Sequence, residues 1–136
     1  MVKADYKAFI DGASSGNPGH SGIGIIIYNG KDELLTESKY IGETTNNVAE
    51  YTALTHLLDL CKKYNIKNIR IYSDSELLVK QISGEYKVKN ENLKKFMFSI
   101  YRHKNKINFT VEHVPREQNK EADKLAKAAC KKGGEM

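Results

Sequence analysis

The chain has 136 residues, enough for one domain that buries roughly two-thirds of its unfolded surface. Its 40% hydrophobic and 29% charged composition is that of an ordinary globule, and no run of about 18 apolar residues is present to span a membrane. Charge is uneven: the formal net of +5 divides into −1 over residues 1–68 and +6 over residues 69–136. The opening MVKADYKAFIDG lacks the apolar core of a signal peptide, because Lys7 interrupts it. Cys61 and Cys130 lie 69 positions apart, too isolated for a disulfide framework or a metal knuckle, and read as reduced core thiols of a cytoplasmic protein.

In chain order, Lys7–Asp11 opens a first strand, and the β-branched run GIGIIIY over Gly22–Tyr28 forms a second. Asn29-Gly30 is a two-residue hairpin signal, so a third strand, about Glu33–Ile41, pairs antiparallel to it. Residues 46–64 change to helical spacing, with Ala53, Leu54, Leu57, Leu58 and Cys61 on one face. Lys67–Ser73 alternates as a fourth strand around Ile69 and Ile71. Helices at about 75–83 and 90–104 follow, divided by a turn at Gly84. Ile107–Val114 is a last strand closed by Pro115, and Asn119–Lys132 a last helix running into Gly133-Gly134. The order βββαβααβα predicts one mixed sheet with helices packed on it.

Four carboxylates stand out against this frame: Asp11 in FIDGASSGNPG, Glu50 in TTNNVAEYTAL, Asp74 in IYSDSELL and Asp123 in EQNKEADKLA. Asp11 falls at or near the end of the first strand and Asp74 just past the fourth. If these strands are parallel neighbours, both acids meet at the crevice where open α/β sheets bind ligands. Glu50 precedes Ala53, Leu54 and Leu57 by three, four and seven residues, which puts it on the buried stripe of its helix. Hard oxygen ligands without paired Cys or His point to Mg²⁺ or Mn²⁺ rather than zinc. Each acid also has a structural role open to it. Asp11-Gly12 suits a turn, Asn47-x-x-Glu50 resembles a capping box, Asp74 can cap the following helix, and Asp123 complements a helix dipole. Between Tyr86 and Lys106, seven basic residues face one acid, Glu91, which suits either a polyanion or a solvated helix face.

DGASSGNPGHSGIG, TTNNVAEYTAL, SDSELLVKQI and VPREQNKEADKLA, in this order within one domain, resemble type 1 ribonuclease H from about Tyr6 to Ala129. The resemblance implies a single catalytic domain over residues 1–136. Its fold would be a ribonuclease H-like α/β fold: a mixed five-stranded sheet, three strands antiparallel and two further strands parallel, with helices on both faces. It further implies a monomer that hydrolyses the RNA strand of RNA–DNA hybrids, leaving 5′-phosphate and 3′-hydroxyl ends. Two Mg²⁺ ions, or Mn²⁺, would serve as cofactors, with Asp11, Glu50, Asp74 and Asp123 as ligands. In that scheme Asp11 bridges the ions, Glu50 and Asp74 hold the one on the leaving-group side, and Asp123 holds the one that activates water. Two cations about 3.5–4 Å apart activate the water, stabilise charge on the phosphorus oxygens and neutralise the leaving oxygen.

The same resemblance assigns hybrid contacts. Asn17 and Asn47 match positions in the minor groove, Gly12 one where bare backbone nears the RNA strand, and Thr45 one that holds a DNA-strand phosphate. Glu76 stands where some members carry Gln. Many members bear a basic, Trp-containing protrusion between the fourth and last strands; here Gln81–Leu93 is short and Trp is absent, leaving Lys87, Lys89, Lys94 and Lys95 to supply the grip. The family's loop histidine has two placements. An ungapped alignment makes it His113, a proton-transfer candidate. Aligning VPRE with the strand end keeps His113 inside the last strand, its ring held by packing, and leaves Arg116 or Glu117 in the loop; Pro115 favours this second placement. Two other functions fit fewer features: a non-catalytic hybrid-binding module has no need of all four acids, and a related metal-dependent nuclease would bring other loops or domains.

Overall fold

The computed structural model describes residues 4–135. Five strands form one sheet in the order β3-β2-β1-β4-β5. They are β1 (Tyr6–Ser14), β2 (Gly19–Asn29), β3 (Asp32–Thr44), β4 (Asn68–Ser73) and β5 (Asn108–His113). The first three are antiparallel, while β4 runs parallel to both β1 and β5. Four helices complete the fold: α1 (Asn46–Lys63), α2 (Glu76–Ser83), α3 (Glu91–Lys104) and α4 (Lys120–Gly134), with a 3-10 turn at Arg116–Gln118 before the last. The predicted element order and mixed sheet are both present.

Alternation along the strands divides the side chains between two helical layers. Ala8, Ile10, Ile23, Ile25, Ile27, Ile69 and Ile71 point to the side of α1, where Leu54, Leu57, Leu58 and Cys61 close the main core with Leu78, Leu93, Met97 and Ile100 from α2 and α3. On the opposite side α4 lies directly on β2. A Cβ at Gly24 would stand 2.1 Å from the Ala122 carbonyl oxygen, and one at Gly22 would stand 2.5 Å from the Ala129 methyl. Small residues on both elements therefore set the distance between helix and sheet.

Several boundaries differ from the sequence expectation. The first strand continues to Ser14, because its antiparallel ladder with β2 outlasts its parallel ladder with β4, which ends at Ile10↔Ser73. Asp11 is thus inside a strand yet immediately beyond the end of the parallel pair. The β2–β3 hairpin turns one residue later than predicted: Asn29 pairs with Asp32, and Gly30, at φ +61°, takes the left-handed position. The last helix does not stop at its glycine pair. Gly133 stays helical, and the absence of a side chain there makes room for the ring of Tyr40, which lies within 2.1 Å of where a Cβ would be. Gly84 does end α2, at φ +86°, as the sequence predicts. No helix of the described residues is long and apolar enough to cross a membrane.

Candidate active site

The end of the β1–β4 ladder sets two acids side by side. Since Ile10 pairs with Ser73, the next residues, Asp11 and Asp74, leave the ladder together at the crevice end. Glu50 arrives from α1, whose start is fixed by Thr45: its hydroxyl accepts the Val48 N–H at 3.3 Å as an N-cap. The capping box centred on Asn47 is therefore not formed. Glu50 Oε1 instead accepts the Gly12 N–H across the layers. Asp74 is not a cap either, because Ser75 takes that place and accepts from Leu78 N.

Gly12 explains how Glu50 comes so close. A Cβ there would stand 2.3–2.4 Å from the main chain of Ala49 and Glu50. The family resemblance implies that this bare backbone nears the RNA strand; in the fold its missing side chain makes room for α1, and Gly12 also lines the cleft. Asn119 performs a similar service for the last acid. Its buried Nδ2 donates to the Ile10 carbonyl at 2.9 Å and ties the start of α4 to β1 beside Asp11.

Carboxylate oxygens of Asp11, Glu50 and Asp74 lie within 4.8 Å of one another, with Asp11 4% and Glu50 7% exposed. Asp123 lines the same cleft of about 460 Å³, its Oδ2 held 3.0 Å from Lys127 Nζ one helical turn away. Burial, then the charges of Glu50 and Asp74, pushes the Asp11 carboxyl far above the usual carboxylate range. Burial raises Glu50 as well, against the opposing pull of the Gly12 N–H. Acids so crowded are fully ionised only when positive charge is supplied. An all-oxygen donor set without His or Cys, part buried and self-repelling, fits a hard divalent cation.

The glycine-rich turn after β1 forms one wall. Asn17 Oδ1 accepts the Asn46 N–H at 3.0 Å, and Ser14 and Ser21 hydroxyls both donate to the Thr44 carbonyl at 3.1 Å, so the turn is locked to the start of α1. Asn17 and Asn46 line the cleft; Asn46 was missed because nothing in TTNN distinguishes the two amides. Asn47 stands exposed beside it, and Thr45 spends its hydroxyl acceptor on the cap.

Of the two loop candidates, Arg116 lines the cleft, while Glu117 lines a separate hollow with Phe9 and Tyr28. His113 is the last residue of β5, paired with Ser73, and does not line the cleft. Its ring, expected to be packed, is exposed. The strand ends there, so no neighbour covers it. Glu76 pairs with Lys80 at 2.8 Å, and this partner, then His113, holds it below the ordinary carboxylate range. Lys87, Lys89, Lys94 and Lys95 are all exposed and outside the cleft; Lys94 pairs with Glu91 at 3.0 Å.

Comparison with known proteins agrees with this geometry. The family model described as Reverse transcriptase-like matches residues 9–129. The bifunctional protein Rv2228c of Mycobacterium tuberculosis is 41% identical over 127 residues, covering 88% of this chain; the chain spans only 34% of that protein's length. A ribonuclease H of a Chelativorans species is 35% identical over 152 aligned positions, covering 95% of this chain and 90% of its own. Among solved structures, LC11-RNase H1 in complex with an RNA/DNA hybrid superposes with a TM-score of 0.89 at 38% identity, covering 94% of this chain and 98% of that one. Sheet order, the meeting of the acids at the end of the parallel ladder and likeness over nearly the whole length agree: the chain belongs to the type 1 ribonuclease H family.

Proposed function

We propose that this domain is an endoribonuclease that hydrolyses the RNA strand of RNA–DNA hybrids, leaving 5′-phosphate and 3′-hydroxyl ends, with two Mg²⁺ or Mn²⁺ ions as cofactors. The convergence of Asp11, Glu50 and Asp74 within 4.8 Å, in a cleft that Asp123 also lines, carries this reading. When bound, such ions supply Lewis acidity, acidifying a water and neutralising charge on the phosphate and leaving oxygens. Asp11, Glu50 and Asp74 would hold one side of the site and Asp123 the other, with Asp11 shared.

The remaining residues bind and orient. Asn17 has its carbonyl committed to Asn46, which leaves its NH₂ free to donate. With the exposed Asn47, it offers amides to the minor groove, where a 2′-hydroxyl distinguishes RNA from DNA. Arg116 contributes a permanent positive charge to the cleft but no group that exchanges a proton near neutral pH. Proton transfer would then pass through solvent rather than an imidazole.

The test is incubation with Mg²⁺ or Mn²⁺ and matched RNA–DNA, RNA–RNA and DNA–DNA duplexes, with the product ends analysed. Cleavage confined to the RNA of the hybrid, giving 5′-phosphates, is expected. Absence of cleavage with either ion, or cutting of DNA–DNA, would overturn the assignment.

A further inference from the structure

The outer face of α3 presents two large aromatic rings between cations, whereas Tyr64 and Tyr86 are single exposed rings elsewhere on the surface. Leu93, Met97 and Ile100 bury the inner stripe of this helix. Lys94, Lys95, Phe98, Tyr101 and Arg102, at spacings of three, four and seven residues, stand outward together. Phe98 is 69% exposed and Tyr101 52%, although no element of the described chain packs over them. Lys104 Nζ lies 5.4 Å from the Tyr101 ring centre, adding charge along the edge of the strip. The one acid on this helix, Glu91, is already paired with Lys94.

The strip adjoins a groove that starts near the candidate active site. Lys95 lines a groove of about 530 Å³ with Asn92 and Phe96 from α3 and Thr44 and Val48 beside the start of α1. Thr44 is two residues from Asn46, which lines the cleft. Thr55, Asp59 and Ser99 complete its lining, and Lys95 is the residue that the groove and the exposed strip share.

We infer that the outer face of α3 binds a single-stranded nucleic-acid segment that flanks the hybrid, with unpaired bases on Phe98 and Tyr101 and phosphates on Lys94, Lys95 and Arg102. The inference rests on the reading of the domain as a hybrid-binding enzyme and extends it to a second contact surface. Cations alone suit any polyanion. Exposed rings add nothing against a duplex, whose base faces are stacked away, but stack readily on unpaired bases, and stacking tolerates any base because each has a π-face. Charge complementarity thus selects a polyanion, and the aromatic pair selects one with unpaired bases.

The test uses the full chain, metal-free in EDTA so that nothing is cut, with fluorescence anisotropy on a blunt hybrid and on the same hybrid carrying a ten-nucleotide overhang, DNA in one arm and RNA in another. Tighter binding of at least one overhanging hybrid, by about fivefold or more, is expected. The F98S/Y101S double variant should lose that gain while binding and cleaving the blunt hybrid as before. Unchanged melting temperature would show that the variant folds. Equal affinity for blunt and overhanging hybrids, or a gain that survives in the variant, would overturn the inference. So would sedimentation of the parent as a dimer that the variant dissociates, since the rings would then serve a protein contact. Failure of the blunt hybrid itself to bind would instead count against the proposed function.

Discussion

Asp11 and Glu50 carry their acidity at 4% and 7% exposure, held by main-chain contacts at Gly12 and by the end of a parallel ladder. Lys87, Lys89, Lys94 and Lys95 stand in solvent, on a segment whose only regular element is the first turn of α3. In the proposed function the acids would act through position: they are few, mutually repelling and exact in placement, so replacing one should remove a function. The cations would act through number and distance, with each contributing a little and none indispensable.

The sharpest way to break this contrast is to neutralise a single acid. Asp11→Asn or Asp74→Asn should lower turnover by more than about 100-fold, since even an outer partner of a metal ligand is worth ~10–100-fold. The same variants should melt higher than the parent without metal at neutral pH, because the amide fills the same volume with neither a repelling charge nor a proton to take up on folding. Near-normal turnover in steady-state assays would remove these residues from the site.

Next in size is Gly12→Ala. The obstruction is backbone on both sides, so relief requires α1 to retreat, at a cost near the upper end of overpacking, about 3 kcal/mol. Denaturant unfolding measures the cost, and lost activity in the fraction that folds would show that Glu50 has moved. A stable, fully active variant would mean that α1 does not set the site.

Proton linkage gives a third test. Asp11 and Glu50 have raised folded-state pKa values, so between the ordinary carboxylate range and those values the folded state holds more protons than the unfolded. Stability of the metal-free protein should therefore fall as pH rises through that window. Added Mg²⁺ should reverse the trend, because it binds the deprotonated acids. Thermal melts from pH 5 to 8, with and without Mg²⁺, read both slopes, and Asp11→Asn should flatten the first. A metal-free slope of opposite sign would contradict the burial of these acids.

Exchanging Lys87, Lys89, Lys94 and Lys95 for Gln together should weaken hybrid binding and flatten its salt dependence, by up to about 0.9 in log–log slope per lost phosphate contact. An unchanged slope would make the segment merely a solvated face. The smallest effect expected is for His113→Ala. With its ring exposed at the strand end, the change should stay within about 0.5 kcal/mol in stability and leave turnover unaltered. A large loss of turnover at constant melting temperature would restore the ungapped alignment and give His113 a part in proton transfer.

Periodicity made the helices and strands legible in chain order, and the four acids could be placed because each sits where an apolar pattern starts or stops. Contacts between layers were not legible. Gly12 read as a turn residue and Gly22 and Gly24 as ordinary strand positions, whereas each is a place where a helix touches the sheet. Asn119 read only as a helix start, because its partner is the Ile10 carbonyl 109 residues away. The choice between Asn46 and Asn47 depended on which amide N–H faced Asn17, a matter of one helical step.

One buried amide bears on how this scaffold accepts change. Gln81 accepts the Tyr51 hydroxyl hydrogen bond at 2.5 Å and donates to the Lys87 carbonyl at 3.3 Å, and together with Val88, packed against the core, this moors the chain after α2. Beyond Lys87, residues 88–90 carry no regular structure before Asn90 caps α3. Chain spliced in between the mooring and that cap would leave both intact, and lengthening a flexible loop costs only about 0.6 kcal/mol per doubling. This makes the Val88–Lys89 junction the natural graft point for a longer basic arm, by which the reach of the domain along a substrate can be altered without rebuilding its catalytic end.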